Sequence, residues 1–330
     1  MREFPLSSTG QTIYERTYSR TKADGTRETW PETVDRVVDG NLGLVRWADP
    51  TQYCYETVQL SKLIEACAII PAGRHLWASG VRGRQHLFNC HTAGWTTDFS
   101  EHFTFTLLRL MEGGGVGCDY STEHLTQYGS VRHLLDVHVV CDPGHQDYEA
   151  MRAAGVLSET YSHEWDWPMV VEDSREGWAD ALADLLDAYM RPDTQHQARV
   201  FDVSLVRPAG SRIKTSGGTA SGPLPLAQML HEVSRVMGRV QTYGVSWLSP
   251  LDVMEIDHAI AQCVVAGGNR RSARMAMLHW DDPYIDDFLV CKRDGGHWTT
   301  NISVIIDEQF IDALDEEFGH AQTVLDRIAQ

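Results

Sequence analysis

The sequence predicts an α/β fold built on a parallel sheet. The segment HLFNC reads as a short buried strand, EHFTFTLLRLMEGG as a helix and GVGCDYS as a strand after a glycine run. This succession of strand, helix, glycine and strand is typical of parallel α/β architecture. Helical patterns fill the chain ahead of it. We therefore expect a helical region over residues 1–70 and a sheet-containing region over residues 71–330.

Composition and charge narrow the class of protein. The chain has 330 residues and a formal net charge of −18, which argues against a nucleic-acid-binding surface. The sequence contains no long apolar run of the kind that a secretory signal or a membrane span needs, so we expect a cytoplasmic protein. Its seven cysteines are widely spaced and none forms a CxxC pair, so we expect reduced thiols and no structural zinc.

Two helices are predicted in the N-terminal region. Thr29 is expected to cap the first, Pro31 to lie in its first turn and Gly40 to end it. The second is expected to end at Pro71 and Gly73.

The later chain alternates between predicted helices and strands. Residues 142–200 read as an insertion on the main sheet that ends in an amphipathic helix, and QARVFDVSLV returns to strand. A further helix leads through an AGGN turn into a strand, NISVIIDEQF reads as a strand, and one acidic helix follows it.

The most distinctive stretch is Val206–Pro225, in which glycines and hydroxyl side chains surround Arg212 and Lys214. Glycine lets a ligand approach the backbone closely, and hydroxyls with free N–H groups suit a phosphate at a helix N-terminus. The stretch matches neither a Walker A motif nor G-x-G-x-x-G. It therefore favours a site for a phosphate-bearing ligand, and a flexible linker is the alternative on composition alone.

Seven blocks, in order, resemble an adenosylcobalamin-dependent (class II) ribonucleotide reductase, and most closely the monomeric ribonucleoside-triphosphate reductase branch. The blocks match the N-terminal half of the chain in that family. The blocks are RTYSR with RETWPETVDRVVDGN, PAGRHLWASG, FNC, EGGGVGCDYS, RPAGSRIKTSGGTASGP, VVAGGNRRSARMAM and NISV.

The resemblance implies a fold and a chemistry. The fold would be the first half of a ten-stranded α/β barrel of the ribonucleotide reductase type, with an effector-region insertion at about 142–200. In this family a thiyl radical on a finger loop removes the 3′-hydrogen of the ribose, and a cysteine pair then supplies the reducing equivalents and becomes a disulfide. Adenosylcobalamin generates the radical.

The resemblance also implies site residues. Cys90 matches the first cysteine of the reducing pair, whereas Cys118 reads as a packing residue. The positions that match substrate-binding regions are Pro71, Ala72, Gly73, Ser79, Ser211, Ser216, Gly217, Gly218, Thr219 and Ser221. The positions that match the effector specificity loop are Gly267, Gly268, Asn269, Arg270, Arg271 and Arg274. A surface turn with solvated arginines is the alternative for this last group.

The family's second half is expected to carry the N-P-C-x-E finger loop, the second cysteine of the pair and most cobalamin contacts, and no N-P-C occurs in this sequence. Three explanations stay open: one half of a split reductase, a fragment of a longer chain, or a non-catalytic nucleotide-binding protein. The first two imply a ribonucleoside triphosphate substrate, a deoxynucleotide effector and a thioredoxin-like thiol reductant, and the first also implies a second polypeptide with the C-terminal half.

Overall fold

The computed structural model describes residues 5, 7–81, 87–158, 168–195, 197–211, 213, 219–242, 247–266, 273–315 and 319–329. The chain divides into two compact units. Unit 1 comprises Met1–Phe88 with Ile213–Gly217, and unit 2 comprises Asn89–Arg212 with Gly218–Gln330. The expected boundary after residue 70 lies inside unit 1.

Unit 1 is helical where it is described, as the sequence predicts. Its helices are α1 (Ser8–Thr17), α2 (Trp30–Leu42), α3 (Pro50–Glu65) and α4 (Gly73–Ala78). Helix α2 begins with a capping box in which the Thr29 hydroxyl accepts from the Glu32 N–H and the Glu32 carboxylate accepts from the Thr29 N–H. Its buried face provides much of the core of the unit, which comprises Tyr14, Trp30, Val34, Val37, Val38, Leu42, Ile64 and Leu76.

The prediction that Gly40 ends α2 is wrong. The helix continues to Leu42, and Gly43 is its C-cap. A Cβ on Gly40 would lie 2.1 Å from the backbone nitrogen of Gly80 and 2.4 Å from its Cα. Gly40 is therefore a packing glycine, because only a residue without a side chain lets the Gly80 backbone cross the helix so closely.

The main sheet of unit 2 has four parallel strands. They are β1 (Cys90–Thr92), β2 (Gly115–Asp119), β6 (Ala273–His279) and β7 (Thr300–Ile305), in the order β1-β2-β6-β7. Helices α5 (Phe99–Met111) and α10 (Pro250–Ala266) pack against each other, and they contact β2 and β6 respectively. This parallel arrangement confirms the predicted α/β fold class.

A second parallel sheet has the order β3-β5-β4 and is formed by β3 (Asp136–Val140), β4 (Met169–Val170) and β5 (Ala198–Asp202). Of these three strands, β4 lies within the predicted insertion at 142–200, and it pairs with β5 and not with the main sheet. The helices in this part of the chain are α7 (Tyr148–Ala153), α8 (Arg175–Met190) and α9 (Leu224–Thr242), and α9 contacts both β3 and α8. Leu182, Leu185 and Leu186 of α8 are fully buried in the same core as the main sheet, as an amphipathic helix predicts.

Short helices complete unit 2: α6 (Thr122–Leu125), α11 (Ile285–Val290), α12 (Glu308–Asp315) and α13 (Gly319–Ile328), with 3₁₀ turns at Thr126–Tyr128 and Arg293–Gly295. The last two of these helices lie within the stretch predicted as one acidic helix, and residues 316–318 between them fall outside the described residues. The predicted buried strand HLFNC is also wrong, because the strand begins only at Cys90 and the Phe88 side chain is 79% exposed. No helix in the described ranges has the length and apolar content needed to cross a bilayer.

Two glycine-to-alanine substitutions in helix interiors should have opposite effects. Gly40→Ala should lower the free energy of unfolding by about 1–3 kcal/mol, because the new methyl group would overlap the Gly80 backbone. Gly238→Ala, in the middle of α9, meets only Leu134 Cδ1 at 3.5 Å and should raise it by about 0.5–1 kcal/mol. Urea unfolding followed by circular dichroism measures both, and stabilisation by Gly40→Ala would contradict the assigned packing role.

Candidate functional site

Cys90 is the first residue of β1, and its side chain is exposed. It pairs in register with Gly115 of β2, which in turn pairs with Ala273 of β6. Residues paired in register point to the same face of a sheet. We call these three residues the Cys90 row; around the thiol it presents only glycine and alanine.

The next row of the sheet faces the opposite way. His91 pairs with Val116, and Val116 pairs with Arg274. Val116 and Arg274 are only 5% and 2% exposed, because this face of the sheet lies against the helices of unit 2. Cys90 therefore lies on the more open face, whereas Cys118 is buried on the helix-covered face, as its packing role predicts. Burial raises the pKa of the Cys118 thiol.

The glycine-rich stretch closes on itself through backbone hydrogen bonds. The Gly210 N–H donates to the Ala220 carbonyl at 2.9 Å, and the Ala220 N–H donates to the Ser211 carbonyl at 2.8 Å. The Asp147 carboxylate accepts from the Ala209 N–H at 2.8 Å, and a Cβ on Gly222 would lie 2.3 Å from the same oxygen. The base of the stretch is therefore a closed turn held by Asp147, a few residues before α9 begins.

The predicted ligand-binding residues of this stretch are only partly described. Ser211 and Ser221 are half-buried and Thr219 is exposed. Ser216, Gly217 and Gly218 lie outside the described residues. The same is true of Gly267, Gly268, Asn269, Arg270 and Arg271 of the predicted specificity loop. For all of these positions the predicted roles stay predictions.

The predicted substrate residues of unit 1 lie around α4. Pro71 and Ala72 line an apolar cavity of about 350 Å³, together with His75 and residues of α2 and α3. Gly73 begins α4, and a Cβ there would lie 2.5 Å from the Tyr18 hydroxyl oxygen. Ser79 is fully buried, and its hydroxyl accepts from Asn41 Nδ2 at 2.9 Å. The Ser79 side chain thus has a partner within unit 1.

Arg274 is the only residue of the predicted specificity loop in the described part of the chain, and its side chain points into the core. Its Nη1 donates to Thr300 Oγ1 and its Nη2 to the Tyr120 hydroxyl, each at 2.9 Å. Asp257 Oδ2 lies 3.4 Å from the same Nη2. A buried guanidinium needs such partners because burying an uncompensated charge is costly.

The carboxylate of Asp257 joins these groups. Its Oδ2 accepts from the Tyr120 hydroxyl at 2.5 Å and from His102 Nε2 at 2.9 Å. We call His102, Tyr120, Asp257, Arg274 and Thr300 the Arg274 network. Its members come from α5, the end of β2, α10, β6 and β7, and each is at most 2% exposed.

Asp257 and Arg274 carry opposite charges within this network. Burial alone would raise the pKa of Asp257, but the charges of His102 and Arg274 and the hydrogen bonds outweigh it and hold that pKa below its usual value. Burial raises the pKa of Tyr120 well above 10, so the phenol keeps its proton and donates it to Asp257. The carboxylate and the guanidinium therefore form an ion pair inside the protein.

A histidine pair borders this network. His258 of α10 shares a 2.7 Å hydrogen bond with Thr299 Oγ1, and its ring centroid lies 5.4 Å from that of His297. Burial, with the nearby His297 and Arg274, lowers the pKa of His258 to about 4. Both imidazoles are therefore neutral at pH 7, since burial also lowers the pKa of His297.

The partners of Arg274 were not predicted from the sequence. His102 and Asp257 are 155 residues apart in the chain, and no local motif joins them. One signal was available: Asp257 follows Ile256 and precedes Ala259 and Ile260 on a largely apolar helix. A carboxylate at such a position needs a buried partner.

Two family models match this chain. The model described as the ribonucleotide reductase alpha domain matches residues 2–81, and the one described as the insertion domain of B12-dependent ribonucleotide reductase matches residues 135–237. A crystal structure of a B12-dependent (class II) ribonucleotide reductase superposes with a TM-score of 0.79 at 30% identity, covering 92% of this chain and 47% of that one. The fold is thus that of a ribonucleotide reductase.

Curated relatives narrow the assignment. A Mycobacterium phage D29 protein, provisionally named an adenosylcobalamin-dependent ribonucleoside-triphosphate reductase, is 53% identical over 99% of this chain and 49% of its own length. The Lactobacillus helveticus enzyme named adenosylcobalamin-dependent ribonucleoside-triphosphate reductase is 33% identical over 91% of this chain and 45% of its own. The chain belongs to the B12-dependent (class II) ribonucleotide reductases, as its sequence blocks predict, and spans about half the length of these relatives.

Adenosylcobalamin is the cofactor in the names of these relatives. The cavity of about 350 Å³ in unit 1 is near the lower end of the range for drug-sized ligands, and adenosylcobalamin is much larger. This cavity therefore does not fit the cofactor.

Neutralising Asp257 should destabilise unit 2 strongly. Asp257→Asn would leave Arg274 buried without its counter-charge and should cost about 3–5 kcal/mol, whereas the double variant Asp257→Leu/Arg274→Met should recover most of that loss. Glu255→Gln, which weakens more exposed pairs with Arg235 and Arg239, should cost at most about 1 kcal/mol. Urea unfolding measures all three, and equal losses for Asp257→Asn and Glu255→Gln would contradict the buried ion pair.

His258 should make the protein less stable in mild acid. Its folded-state pKa of about 4 lies below its ordinary value of 6.5, so the unfolded chain takes up a proton first as the pH falls from 7 towards 4. Stability is therefore lost across this window, and His258→Gln should flatten the dependence. Urea midpoints measured between pH 7 and pH 5 test this, and identical slopes in the two proteins would refute it.

Proposed function

We propose that this chain forms the N-terminal part of an adenosylcobalamin-dependent ribonucleoside-triphosphate reductase, in which Cys90 is the first cysteine of the reducing pair. The observation that carries the proposal is the position of Cys90: an exposed thiol on the open face of the main sheet, with only Gly115 and Ala273 beside it in its row. Small neighbours leave room for a ribose to approach the sulfur. The family membership and the names of the relatives support the reaction.

The chemistry assigned to Cys90 is a two-electron reduction. Cys90 and a second cysteine lose two electrons and two protons and form a disulfide. The ribose loses its 2′-hydroxyl as water and gains a hydrogen at C2′, so atoms and electrons balance. The second cysteine, the radical cysteine and most cobalamin contacts are proposed to lie on the C-terminal half that the relatives possess.

Nucleotide recognition is proposed for two parts of the chain. The stretch Val206–Pro225 would hold the substrate phosphates, since its base is a closed turn just before the N-terminus of α9. Residues Gly267 to Arg271 of the predicted specificity loop would bind a deoxynucleotide effector. A thioredoxin-like thiol would restore the reduced pair. A reducing, cytoplasmic setting suits this role, since the chain's cysteines are all free thiols.

The alternative of a non-catalytic nucleotide-binding protein finds no support in the names of the Mycobacterium phage D29 and Lactobacillus helveticus relatives, which are both named as reductases.

Removing the Cys90 thiol should abolish deoxynucleotide formation. The test mixes this chain with a polypeptide carrying the C-terminal half of the Mycobacterium phage D29 relative, adenosylcobalamin, dithiothreitol and a ribonucleoside triphosphate. Chromatography then measures the deoxynucleotide. Cys90→Ser should give no product, because serine cannot supply reducing equivalents.

Cys54→Ser is the matched control, since Cys54 is also an exposed thiol but lies on α3 of unit 1. It should retain full turnover. No product from the wild-type mixture, or undiminished product from Cys90→Ser, would overturn the proposed function.

A further inference from the structure

The cavity of unit 1 has aliphatic walls and one polar end. Side chains of α2, α3 and the chain leading into α4 line it, and none of the described lining residues is Lys, Arg, Asp or Glu. A phosphate group needs cationic or N–H donors, so these walls favour an apolar ligand over a nucleotide. The aliphatic side chains include Val37, Val38, Leu60, Ile64 and Ile69. Asn41 and His75 form the polar end.

Hydrogen bonds fix the orientation of the Asn41 amide at this polar end. Asn41 Nδ2 lies 2.6 Å from the carbonyl oxygen of Val37. A carbonyl oxygen can only accept, so the amide atom that faces it must be the nitrogen. The second N–H of the amide donates to Ser79 Oγ at 2.9 Å. The amide oxygen of Asn41 is therefore the atom that faces His75.

The amide in turn fixes the tautomer of His75. Asn41 Oδ1 lies 3.1 Å from His75 Nδ1. Because the amide oxygen can only accept, Nδ1 carries the ring hydrogen and donates it. In the neutral ring, Nε2 is then an acceptor. No hydrogen bond joins Nε2 to another of the described residues, so this atom is available to accept from a ligand.

We propose that the cavity of unit 1 binds a small aromatic molecule that carries a single N–H or O–H donor. The ring lies between the aliphatic walls, and its donor binds His75 Nε2. An engineered apolar cavity of about 150 Å³ takes up benzene, so the cavity of about 350 Å³ has room for a bicyclic ring such as indole.

The single acceptor determines which rings bind well. A ligand that covers Nε2 without donating to it leaves a buried acceptor unsatisfied, and that loss is not recovered elsewhere. Indole offers one N–H donor. Benzofuran has the same size and shape but carries an oxygen acceptor in place of the N–H, so it would bring two lone pairs together at His75. The pair of compounds therefore isolates the contribution of Nε2.

The test is a saturation-transfer NMR titration of this chain with indole and with benzofuran. Burial of the apolar ring predicts a dissociation constant for indole on the order of 1 mM. Benzofuran should bind at least about fivefold more weakly, because it leaves Nε2 unsatisfied. His75→Leu should remove this preference while both rings still bind.

A blocking variant tests the cavity without changing His75. Ala72 lines the cavity and is itself exposed, so Ala72→Phe should occupy the space and weaken indole binding by about tenfold or more. Ala66→Phe is the matched control, since Ala66 is also an exposed alanine of unit 1 but is not among the lining residues. It should bind indole as the parent protein does. Circular dichroism checks that each variant is folded.

Two results would overturn the inference: undiminished indole binding by folded Ala72→Phe, or equal affinities of the parent protein for indole and benzofuran. Binding is measured on this chain without turnover and uses residues of unit 1 only. Failure of indole binding therefore leaves the proposed reductase function standing, and failure of turnover leaves this site standing.

A further compound identifies the source of the ring, because a tryptophan side chain of a polypeptide offers the same chemistry as a free molecule. N-acetyltryptophanamide carries the indole ring with a peptide group on each side. Weaker binding of this compound than of indole assigns the site to a free small molecule. Equal or tighter binding assigns it to a side chain of a partner polypeptide.

Discussion

The ion pair between Arg274 and Asp257 is the interaction on which the core of unit 2 depends. Two opposite charges at the centre of an apolar core are stable only when each has further hydrogen-bond partners, and Tyr120, His102 and Thr300 supply them. Because these five residues come from five parts of the chain, the network fixes how α5 and α10 lie on the main sheet. That fixes which face of the sheet is covered by helices.

The location of the candidate redox site follows from this choice of face. Side chains alternate along a strand, so burying Val116 and Arg274 against the helices places Cys90, Gly115 and Ala273 on the other face. Residues Glu112–Ser121 contribute to both faces of the main sheet. Its glycines keep the open face free of side chains near the thiol, while Val116, Cys118 and Tyr120 fill the core.

Local signals in the sequence predicted the local structure well. Thr29 and Pro31 mark the start of α2 because capping and proline preferences act within one turn. The parallel pairing of β1 with β2 follows from the strand-helix-strand order. Gly40 was misread because its reason for being glycine is Gly80, which is distant in sequence. The separate β3-β5-β4 sheet was missed for the same reason, since strand pairing is a non-local choice.

The candidate site was predictable to the extent that its residues lie in family blocks. Cys90 was identified from FNC and its neighbours. Arg274 was predicted to be a residue of the effector specificity loop, but the inward direction of its side chain could not be predicted from a block of glycines and arginines. The inward direction of Arg274 depends on Asp257, which lies in no recognised sequence motif. The two side chains are brought into contact by the packing of α10 against β6.

The most direct test of the central claim is a disulfide map after one turnover without added thiol. The chain, mixed with the C-terminal half, adenosylcobalamin and a ribonucleoside triphosphate, is quenched with an alkylating agent and digested without reduction for mass spectrometry. We expect the Cys90 peptide to be disulfide-linked to a peptide of the C-terminal half, in proportion to the deoxynucleotide formed. Deoxynucleotide formed while Cys90 is recovered entirely as the alkylated thiol would contradict it.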